Sequence, residues 1–228
     1  MSANVKLKKA ILIGASGFIG SNLLQELLHH ADYESIIVVV RKKLEMEHPK
    51  LIQLIGDFHS LPELADQLIA DEIFIALGTT KNKTPDLKIY YQIDHDYPVL
   101  AAKIAKDNGA QSVFVVTAVG ANPDSGIFYV RTKGETERDI IALNFEYTHI
   151  FRPSMILGKR QEHRPMEAFL IKMWGFINPL LIGKALKKYK GMDGKDIAKA
   201  MAAVAKAPSE KVRIYHWPEM NAAITEFQ

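Results

Sequence analysis

Short apolar runs alternate with longer amphipathic stretches along most of the chain. Each apolar run is rich in isoleucine, valine and leucine, which is typical of parallel strands that are buried on both faces of a sheet. Strands that alternate with helices predict an α/β protein, a doubly wound parallel sheet of about seven strands with helices on both faces. The predicted strands span 10–13, 35–40, 51–55, 72–77, 111–117, 145–152 and 212–216.

Helices are predicted where apolar residues recur every three or four positions. One helix begins at Phe18. Pro98 lies inside another helix, and because proline lacks an N–H donor, we expect a kink or a restart there. The other predicted helices span 88–108, 127–143 and 193–206.

The length of 228 residues fits a single domain. We expect residues 160–192 to form a small C-terminal helical lobe that covers a substrate pocket or contacts another subunit. The apolar part of this segment, 166–186, is interrupted by glycine, asparagine and proline, which indicates that it does not span a membrane. Lysines follow it, so a helix lying at a membrane surface is the alternative.

Three glycines, Gly14, Gly17 and Gly20, connect the first strand to the first helix. Gly14 permits a tight turn, Gly17 lets a phosphate approach the backbone, and Gly20 lets the helix pack against the strand. The free N–H groups of the helix then point toward a pyrophosphate. The spacing differs by one residue from the commoner Gly-x-Gly-x-x-Gly, and a turn without a ligand is the alternative. Because both flanking elements fit, the motif predicts a dinucleotide site.

The end of the second strand bears on the choice of dinucleotide. Sites selective for NAD carry an acidic residue about twenty positions after the glycines, where it binds the ribose 2′-hydroxyl. Arg41 occupies that place here, and Lys42 follows it. A solvated charge run is the alternative. Together with the glycine motif, the two cations predict a 2′-phosphate and a preference for NADP(H) over NAD(H).

Two further strand ends offer candidate cofactor residues. Asp57 and Phe58 follow the third strand. The Asp57 carboxylate either accepts a hydrogen bond from the adenine amino group or caps the next helix. Leu77, Gly78 and Thr79 end the fourth strand, at the edge where open α/β sheets bind ligands.

Tyr129 and Lys133 lie four residues apart on the helix 127–143, so their side chains share one face. The spacing alone carries little weight, because roughly one such pair is expected by chance in a chain of this composition. Its position gives it weight. The start of the helix that follows the fifth strand adjoins the nicotinamide end of a bound cofactor.

Composition excludes several classes of function. The chain has no cysteine, so it has no disulfide, no thiolate metal site and no cysteine nucleophile. A net charge of +3 is too small to predict nucleic-acid binding. The first nine residues lack the apolar core of a secretory signal, and we expect a cytoplasmic protein.

Neighbouring helix residues point in different directions, so Asp94, His95 and Asp96 are interpreted as capping and surface residues, and no metal site is predicted.

Several motifs occur together, in order, over roughly residues 10–170. They are Gly14-Ala15-Ser16-Gly17, Arg41-Lys42-Lys43-Leu44, Leu77-Gly78-Thr79-Thr80, Asp94-His95-Asp96-Tyr97, Tyr129-x-x-x-Lys133-Gly134-Glu135, Phe151-Arg152-Pro153 and Arg160-Gln161-Glu162-x-Arg164-Pro165. With these motifs the chain resembles an atypical short-chain dehydrogenase/reductase, in particular the branch of the Tat-interacting oxidoreductase proteins and their bacterial, epimerase-like relatives. Their joint occurrence is far more specific than any single motif.

The resemblance implies a Rossmann-type sheet that binds NADP(H). Tyr129 would act as the acid/base, and Lys133 would hold the nicotinamide ribose and lower the pKa of the tyrosine. The remaining implied contacts all concern the cofactor. They are Ser16, Gly17, Phe18 and Ile19 at the pyrophosphate, Leu77 and Gly78 at the adenosine half, and Pro153, Ile156 and Arg164 after the sixth strand.

One departure from the family pattern concerns the end of the fifth strand. Related proteins usually have two serines there, and the second bonds the substrate carbonyl, whereas this chain has Thr117-Ala118. Thr117 either takes over that role through a bend in the strand or is a buried strand residue, because successive strand side chains face opposite sides.

Two hypotheses follow. The first is an NADPH-dependent oxidoreductase of a small carbonyl substrate, with Tyr129, Lys133 and Thr117 as its catalytic residues. The second is an NADP(H)-binding redox-sensing module that has little turnover and acts through a protein partner. Under either hypothesis we expect no nucleic-acid partner, and a homodimer or a protein partner is open.

Overall fold

The computed structural model describes residues 7–158 and 186–226, which form nine strands and six α-helices. The strands are β1 (Lys8–Ile13), β2 (Tyr33–Val40), β3 (Leu51–Ile55), β4 (Glu72–Ile75), β5 (Ser112–Val116), β6 (Tyr147–Phe151), β7 (Ile156–Leu157), β8 (Met192–Asp193) and β9 (Val212–Tyr215). The helices are α1 (Phe18–His29), α2 (Leu87–Tyr91), α3 (Tyr97–Asp107), α4 (Phe128–Ala142), α5 (Gly194–Lys206) and α6 (Trp217–Glu226).

Seven strands form one parallel sheet in the order β3-β2-β1-β4-β5-β6-β9. The chain runs outward from β1 to β3 and then returns to build the other half from β4 onward. The switch point of this doubly wound sheet therefore lies between β1 and β4, and ligands bind such sheets at the carboxyl ends of the strands next to the switch. The predicted fold class is confirmed.

The core lies on both faces of the sheet, as the uninterrupted apolar runs require. Leu12 belongs to the cluster that α1, α5 and α6 cover, whereas its neighbour Ile11 belongs to the cluster under α3 and α4. An aromatic row crosses the first face. Phe74 and Phe114 stack with ring centroids 4.6 Å apart, and His149 stacks on Phe114 at 5.2 Å.

The long helix predicted over 88–108 is divided near Pro98. Helix α2 ends at Tyr91, a π-helical turn occupies Gln92–Asp96, and α3 begins at Tyr97 with Pro98 in its first turn. This division confirms the expected restart. It also widens the helix at Asp94, which faces the protein interior.

Several elements were not predicted from the sequence. Helix α6 follows β9 directly, and β7 pairs with β8 in a small parallel sheet of its own. Residues 159–185, which contain most of the predicted C-terminal lobe, lie outside the described residues. Within 7–158 and 186–226, no helix has the length and apolar character needed to cross a membrane.

Candidate functional site

The turn between β1 and α1 closes because its glycines have no side chains. Gly14 has a positive φ of 89°, and a Cβ atom there would lie 2.7 Å from the carbonyl oxygen of Ala76, just after β4. The Gly17 N–H donates to the Gly14 carbonyl oxygen at 2.9 Å. A Cβ atom on Gly20 would lie 2.0 Å from that same oxygen. A side chain at position 14 would therefore clash with the backbone after β4, and one at position 20 would force α1 away from the turn.

The first turn of α1 leaves its N–H groups open to a ligand. Gly17 is the N-cap residue and has no side chain to accept their hydrogen bonds, and the first turn has no acidic residue. Ser16 and Gly17 are exposed. A helix N-terminus of this kind fits an anion such as a pyrophosphate. The Ile19 side chain lies in the core, so only its backbone can face a ligand.

Phe18 is the first residue of α1, and its ring is held by close packing. Its ring packs against two glycines, because a Cβ atom on either Gly158 or Gly194 would lie 2.5 Å from a ring carbon. These glycines follow β7 and begin α5. The glycine turn is thus anchored to the region of the small β7–β8 sheet through the side chain of Phe18.

Arg41 and Lys42 lie directly after β2, next to the glycine turn in the sheet order. Both are exposed, and neither makes an ion pair with a residue that the structure describes. The neighbouring Leu44 is fixed, because its N–H donates to Gln53 at 2.8 Å.

The carboxylate in the turn after β3 bonds N–H groups of the same turn. Asp57 Oδ1 accepts hydrogen bonds from the N–H groups of Ser60 at 3.1 Å and His59 at 2.9 Å, which lower the pKa of this carboxyl. The carboxylate therefore closes a turn before the short helical segment Leu61–Gln67, whose N-cap residue is Ser60 and not Asp57. Phe58, in the same turn, stacks on Tyr97 with ring centroids 4.0 Å apart.

A buried ion pair lies beside the end of β4 and joins α4 to the π-helical turn before α3. Lys133 Nζ lies 2.6 Å from Asp94 Oδ1, and the side chains of the two residues are 7% and 1% exposed. Asp94 Oδ2 accepts from the Thr79 N–H at 2.8 Å. A Cβ atom on Gly78 would lie 3.5 Å from Lys133 Nζ. Lys133, Gly78 and Thr79, which were predicted from separate parts of the sequence, are therefore brought together.

Tyr129 lies on the same face of α4 as Lys133, one turn earlier in the helix. It is 44% exposed. Its hydroxyl makes no hydrogen bond to a described residue. Desolvation by the surrounding protein raises the pKa of Tyr129, Lys133 lowers it, and Asp94 raises it. The influence of Lys133 has the sign that the resemblance implies, but the pKa of the phenol without a bound ligand lies above its ordinary value.

Thr117 is not free for a substrate, which corrects its assignment as a catalytic residue. The side chain is buried, and its hydroxyl donates to Glu137 Oε1 at 2.5 Å. Glu137 in turn pairs with the Arg152 guanidinium. The geometry matches the buried-strand alternative, because a hydroxyl that is bound to a buried carboxylate cannot at the same time polarise a carbonyl.

The remaining predicted cofactor residues have different surroundings. Pro153 is buried, and its carbonyl oxygen accepts from the Val119 N–H at 2.9 Å. Ile156 lies in β7 and packs against the core. Leu77 is half-buried after β4. Arg164 lies outside the described residues.

Asp94 is the site residue that sequence reasoning missed. It was interpreted as a capping or surface residue, yet it is 1% exposed. His95 is also buried, and its ring bonds Asp96 at 2.8 Å and Asp139 at 2.9 Å. The available signal was the position of an acid on the helix that follows β4, beside the lysine-bearing face of α4. Within the described ranges, no group of three or more acidic or histidine side chains is arranged to hold a metal.

The sequence matches the NAD dependent epimerase/dehydratase family over residues 10–216. The chain belongs to this family. The FMP52 protein of Meyerozyma guilliermondii is 31% identical over 226 residues, which cover 96% of each chain. Protein HTATIP2 of Rattus norvegicus is 32% identical over 172 residues, or 74% of this chain and 71% of the rat protein. The resemblance predicted from the motifs is confirmed.

Solved structures of other proteins share the fold. MoeE5, in complex with UDP-glucose and NAD, has a TM-score of 0.67 at 18% identity, covering 96% of this chain and 81% of that chain. The Bordetella bronchiseptica enzyme WbmH, in complex with NAD+, has a TM-score of 0.69 at 17% identity, covering 92% and 75%. The chain is thus an NAD(P)-binding, oxidoreductase-like protein with a Rossmann-type fold.

The relatives also correct one expectation. The FMP52 proteins of several yeasts, including Candida glabrata and Saccharomyces cerevisiae, are named as mitochondrial proteins. This finding overturns the expectation of a cytoplasmic protein.

Proposed function

We propose that the protein is an NADP(H)-dependent oxidoreductase that reduces the carbonyl group of a small molecule. The observation that carries this proposal is the position of Lys133. Its ammonium lies in a buried ion pair beside the end of β4, one helical turn from the exposed Tyr129. Lys133 lies beside the end of β4, which borders the switch point of a sheet whose glycine turn fits a dinucleotide.

The cations after β2 support the choice of NADP(H). Arg41 and Lys42 are exposed and have no acidic partner among the described residues. A charge-assisted hydrogen bond to a 2′-phosphate contributes about 1.5–3 kcal/mol. One good contact therefore implies a preference of roughly ten- to a hundredfold for NADPH over NADH.

The chemistry follows from the residues around Tyr129. When bound, NADPH supplies a hydride to the carbonyl carbon. The Tyr129 hydroxyl donates its proton to the carbonyl oxygen, so the substrate becomes an alcohol and the tyrosine becomes a phenolate. The Lys133 ammonium stabilises this phenolate. Because Tyr129 is 44% exposed, water can return the proton after the product leaves.

A second function is favoured by one observation. The Thr117 hydroxyl is bound to Glu137, and Ala118 has no hydroxyl, so the usual hydrogen bond from this strand end to a substrate carbonyl is missing. An NADP(H)-binding module that acts through a protein partner needs no such bond. In that case the affinity for the partner would differ between the empty and the NADPH-bound protein.

A single-turnover experiment separates the two functions. The protein is saturated with NADPH and mixed with a panel of small aldehydes and ketones, and the loss of reduced-nicotinamide absorbance is recorded. Oxidation of the bound NADPH by at least one compound supports the oxidoreductase. No oxidation across the panel, together with tight NADPH binding and a partner that distinguishes the two states, supports the binding module.

Replacing Arg41 by alanine tests the choice of cofactor. We expect Arg41→Ala to weaken NADPH binding by roughly ten- to a hundredfold and to leave NADH binding nearly unchanged, because only NADPH carries the 2′-phosphate. Calorimetric titration of both dinucleotides into both proteins measures the four affinities. Lys211→Ala, which removes an exposed cation just before β9 at the opposite edge of the sheet, is the control. Equal losses for NADPH and NADH would show that Arg41 does not read the 2′-phosphate.

A further inference from the structure

Asp94 is fixed from two directions under the Tyr129 face of α4. One carboxylate oxygen lies 2.6 Å from Lys133 Nζ, and the other accepts from the Thr79 N–H at 2.8 Å. The Thr136 hydroxyl donates to the Asp94 backbone carbonyl at 2.8 Å. The side chain therefore bridges the end of β4 to α4 with both of its oxygens, and its position is set by the fold.

The ion pair borders the ligand edge of the sheet. Gly78 is exposed, and a Cβ atom there would lie 3.4 Å from Asp94 Oδ1 and 3.5 Å from Lys133 Nζ. The absence of a side chain at this position keeps the ammonium next to open space. The Asp94 carboxylate is the counter-charge of this buried ammonium.

We infer that Asp94 is a positioning residue that holds the Lys133 ammonium and offsets its charge, so that Tyr129 enters the reaction as a protonated phenol. The inference rests on the proposed function. A protonated phenol can give its proton to a carbonyl oxygen that is being reduced, whereas a phenolate can only accept a proton from an alcohol that is being oxidised. In the reduction, the Tyr129 O–H bond breaks, an alcohol O–H bond forms, and the hydride comes from reduced dinucleotide.

The charges around the phenol agree with this role. Desolvation raises the pKa of Tyr129, Lys133 lowers it, and Asp94 is the acidic group among the described residues that raises it. Tyr90 on α2 is a titratable neighbour that Tyr129 affects in turn. Burial raises the pKa of Tyr90 as well, so Tyr90 stays neutral at neutral pH. Removing the negative charge of Asp94 would leave the field of Lys133 at Tyr129 without compensation.

Direct titration of Tyr129 in the protein without ligands tests the inference. Tyrosinate absorbance is recorded against pH, and the Tyr129 signal is isolated by subtracting the matching Tyr129→Phe protein. We expect Asp94→Asn to move the midpoint to lower pH by about one unit, because an opposite charge is left unopposed beside the phenol. We expect Lys133→Met to move it to higher pH.

Glu137→Gln is the matched control. It also removes a buried carboxylate from an ion pair, on the same face of α4 and four residues after Lys133, but its partner is Arg152. We expect the Tyr129 midpoint to stay in place in this variant. A midpoint that stays in place or rises in Asp94→Asn would overturn the inference and leave Asp94 with a structural role.

A second comparison applies if Asp94→Asn alone does not fold. The double variant Asp94→Asn with Lys133→Met removes both charges together, and replacing both members of a buried pair is tolerated far better than removing one. We expect its Tyr129 midpoint to lie below that of Lys133→Met alone. Equal midpoints would overturn the inference.

The titration needs neither cofactor nor substrate, so its failure is separate from failure of the proposed function. If the midpoint falls in Asp94→Asn but the wild-type protein does not bind NADPH, the proposed function is wrong and the charge coupling stands. If the wild type binds and oxidises NADPH but the midpoint does not move, Asp94 is not a positioning residue.

Discussion

The two edges of the sheet hold the same three kinds of side chain. At the amino edge, Lys8 begins β1 and lies 2.6 Å from Glu72, which begins β4. Tyr33, which begins β2, donates to the other oxygen of Glu72 at 2.5 Å. At the carboxyl edge, the lysine and the acid are again 2.6 Å apart, but the tyrosine, Tyr129, makes no hydrogen bond to a described residue.

The two clusters differ in whether the tyrosine hydroxyl has a hydrogen-bond partner and in how much of the tyrosine is exposed. Tyr33 is 2% exposed and its hydroxyl is bound, and Lys8 also donates to the Ala205 carbonyl oxygen at 3.0 Å. Every group of this cluster has a partner within the fold. Tyr129 is 44% exposed, and its hydroxyl bonds none of the residues in 7–158 and 186–226. A lysine, an acid and a tyrosine therefore bond one another at one edge, and at the other edge they leave a tyrosine hydroxyl that bonds no described residue.

The largest expected effect concerns the rate. Tyr129→Phe removes the proposed proton donor, and a positioned general acid contributes about 10²- to 10⁴-fold. We expect single-turnover oxidation of bound NADPH to slow by at least about 100-fold, while the free energy of unfolding changes by less than about 0.5 kcal/mol, because the lost hydroxyl has no partner in the described fold.

Tyr33→Phe is the counterpart at the other edge. It removes the same hydroxyl from the same residue type, but at the amino ends of the strands. We expect its rate of NADPH oxidation to equal that of the wild type at a temperature where both proteins are folded. A similar loss of rate in both variants would mean that the two edges do not differ in function.

Local patterns explain why much of the carboxyl edge was predictable. The glycine turn was identified from its own ten residues, because the strand, the turn and the helix all leave local signals. The position of Arg41 followed from counting along a β-branched strand. Tyr129 and Lys133 share a helix face through their spacing alone. Each of these predictions needed only neighbours in sequence.

The residues that were missed depend on contacts between distant parts of the chain. Asp94 is buried because a π-helical turn directs it toward Lys133, 39 positions later, and no local pattern encodes that pairing. The Thr117 hydroxyl faces Glu137 for a similar reason, since the direction of a strand end depends on which helix covers it. The tertiary fold determines these partners, and a single sequence does not show them.

A smaller effect concerns stability at neutral pH. Tyr33→Phe removes a buried hydrogen bond to the Glu72 carboxylate, and hydrogen bonds to charged groups contribute about 1.5–3 kcal/mol. We expect the free energy of unfolding, measured by urea denaturation, to fall by about that amount. Tyr129→Phe is the matched control, with a much smaller change expected. Equal changes in the two variants would contradict the contrast between a satisfied edge and an open one.

The smallest expected effect is a change with pH in the stability deficit of Tyr33→Phe, which is the difference between its free energy of unfolding and that of the wild type. Burial, and then Glu72, raise the pKa of Tyr33 well above its ordinary value, so the phenol is protonated in the folded protein at pH values where it ionises in the unfolded chain. The contribution of Tyr33 to stability is therefore complete below about pH 10 and declines as the pH rises further, by at most about 1.4 kcal/mol for each pH unit. Other tyrosines with raised pKa values occur in both proteins, so their contributions cancel in the difference between wild type and Tyr33→Phe. We expect the stability deficit of Tyr33→Phe to be constant from pH 7 to about 9.5 and to narrow above about pH 10 in urea titrations. A deficit that stays constant up to the alkaline unfolding limit would show that the phenol of Tyr33 ionises as readily in the folded protein as in the unfolded chain.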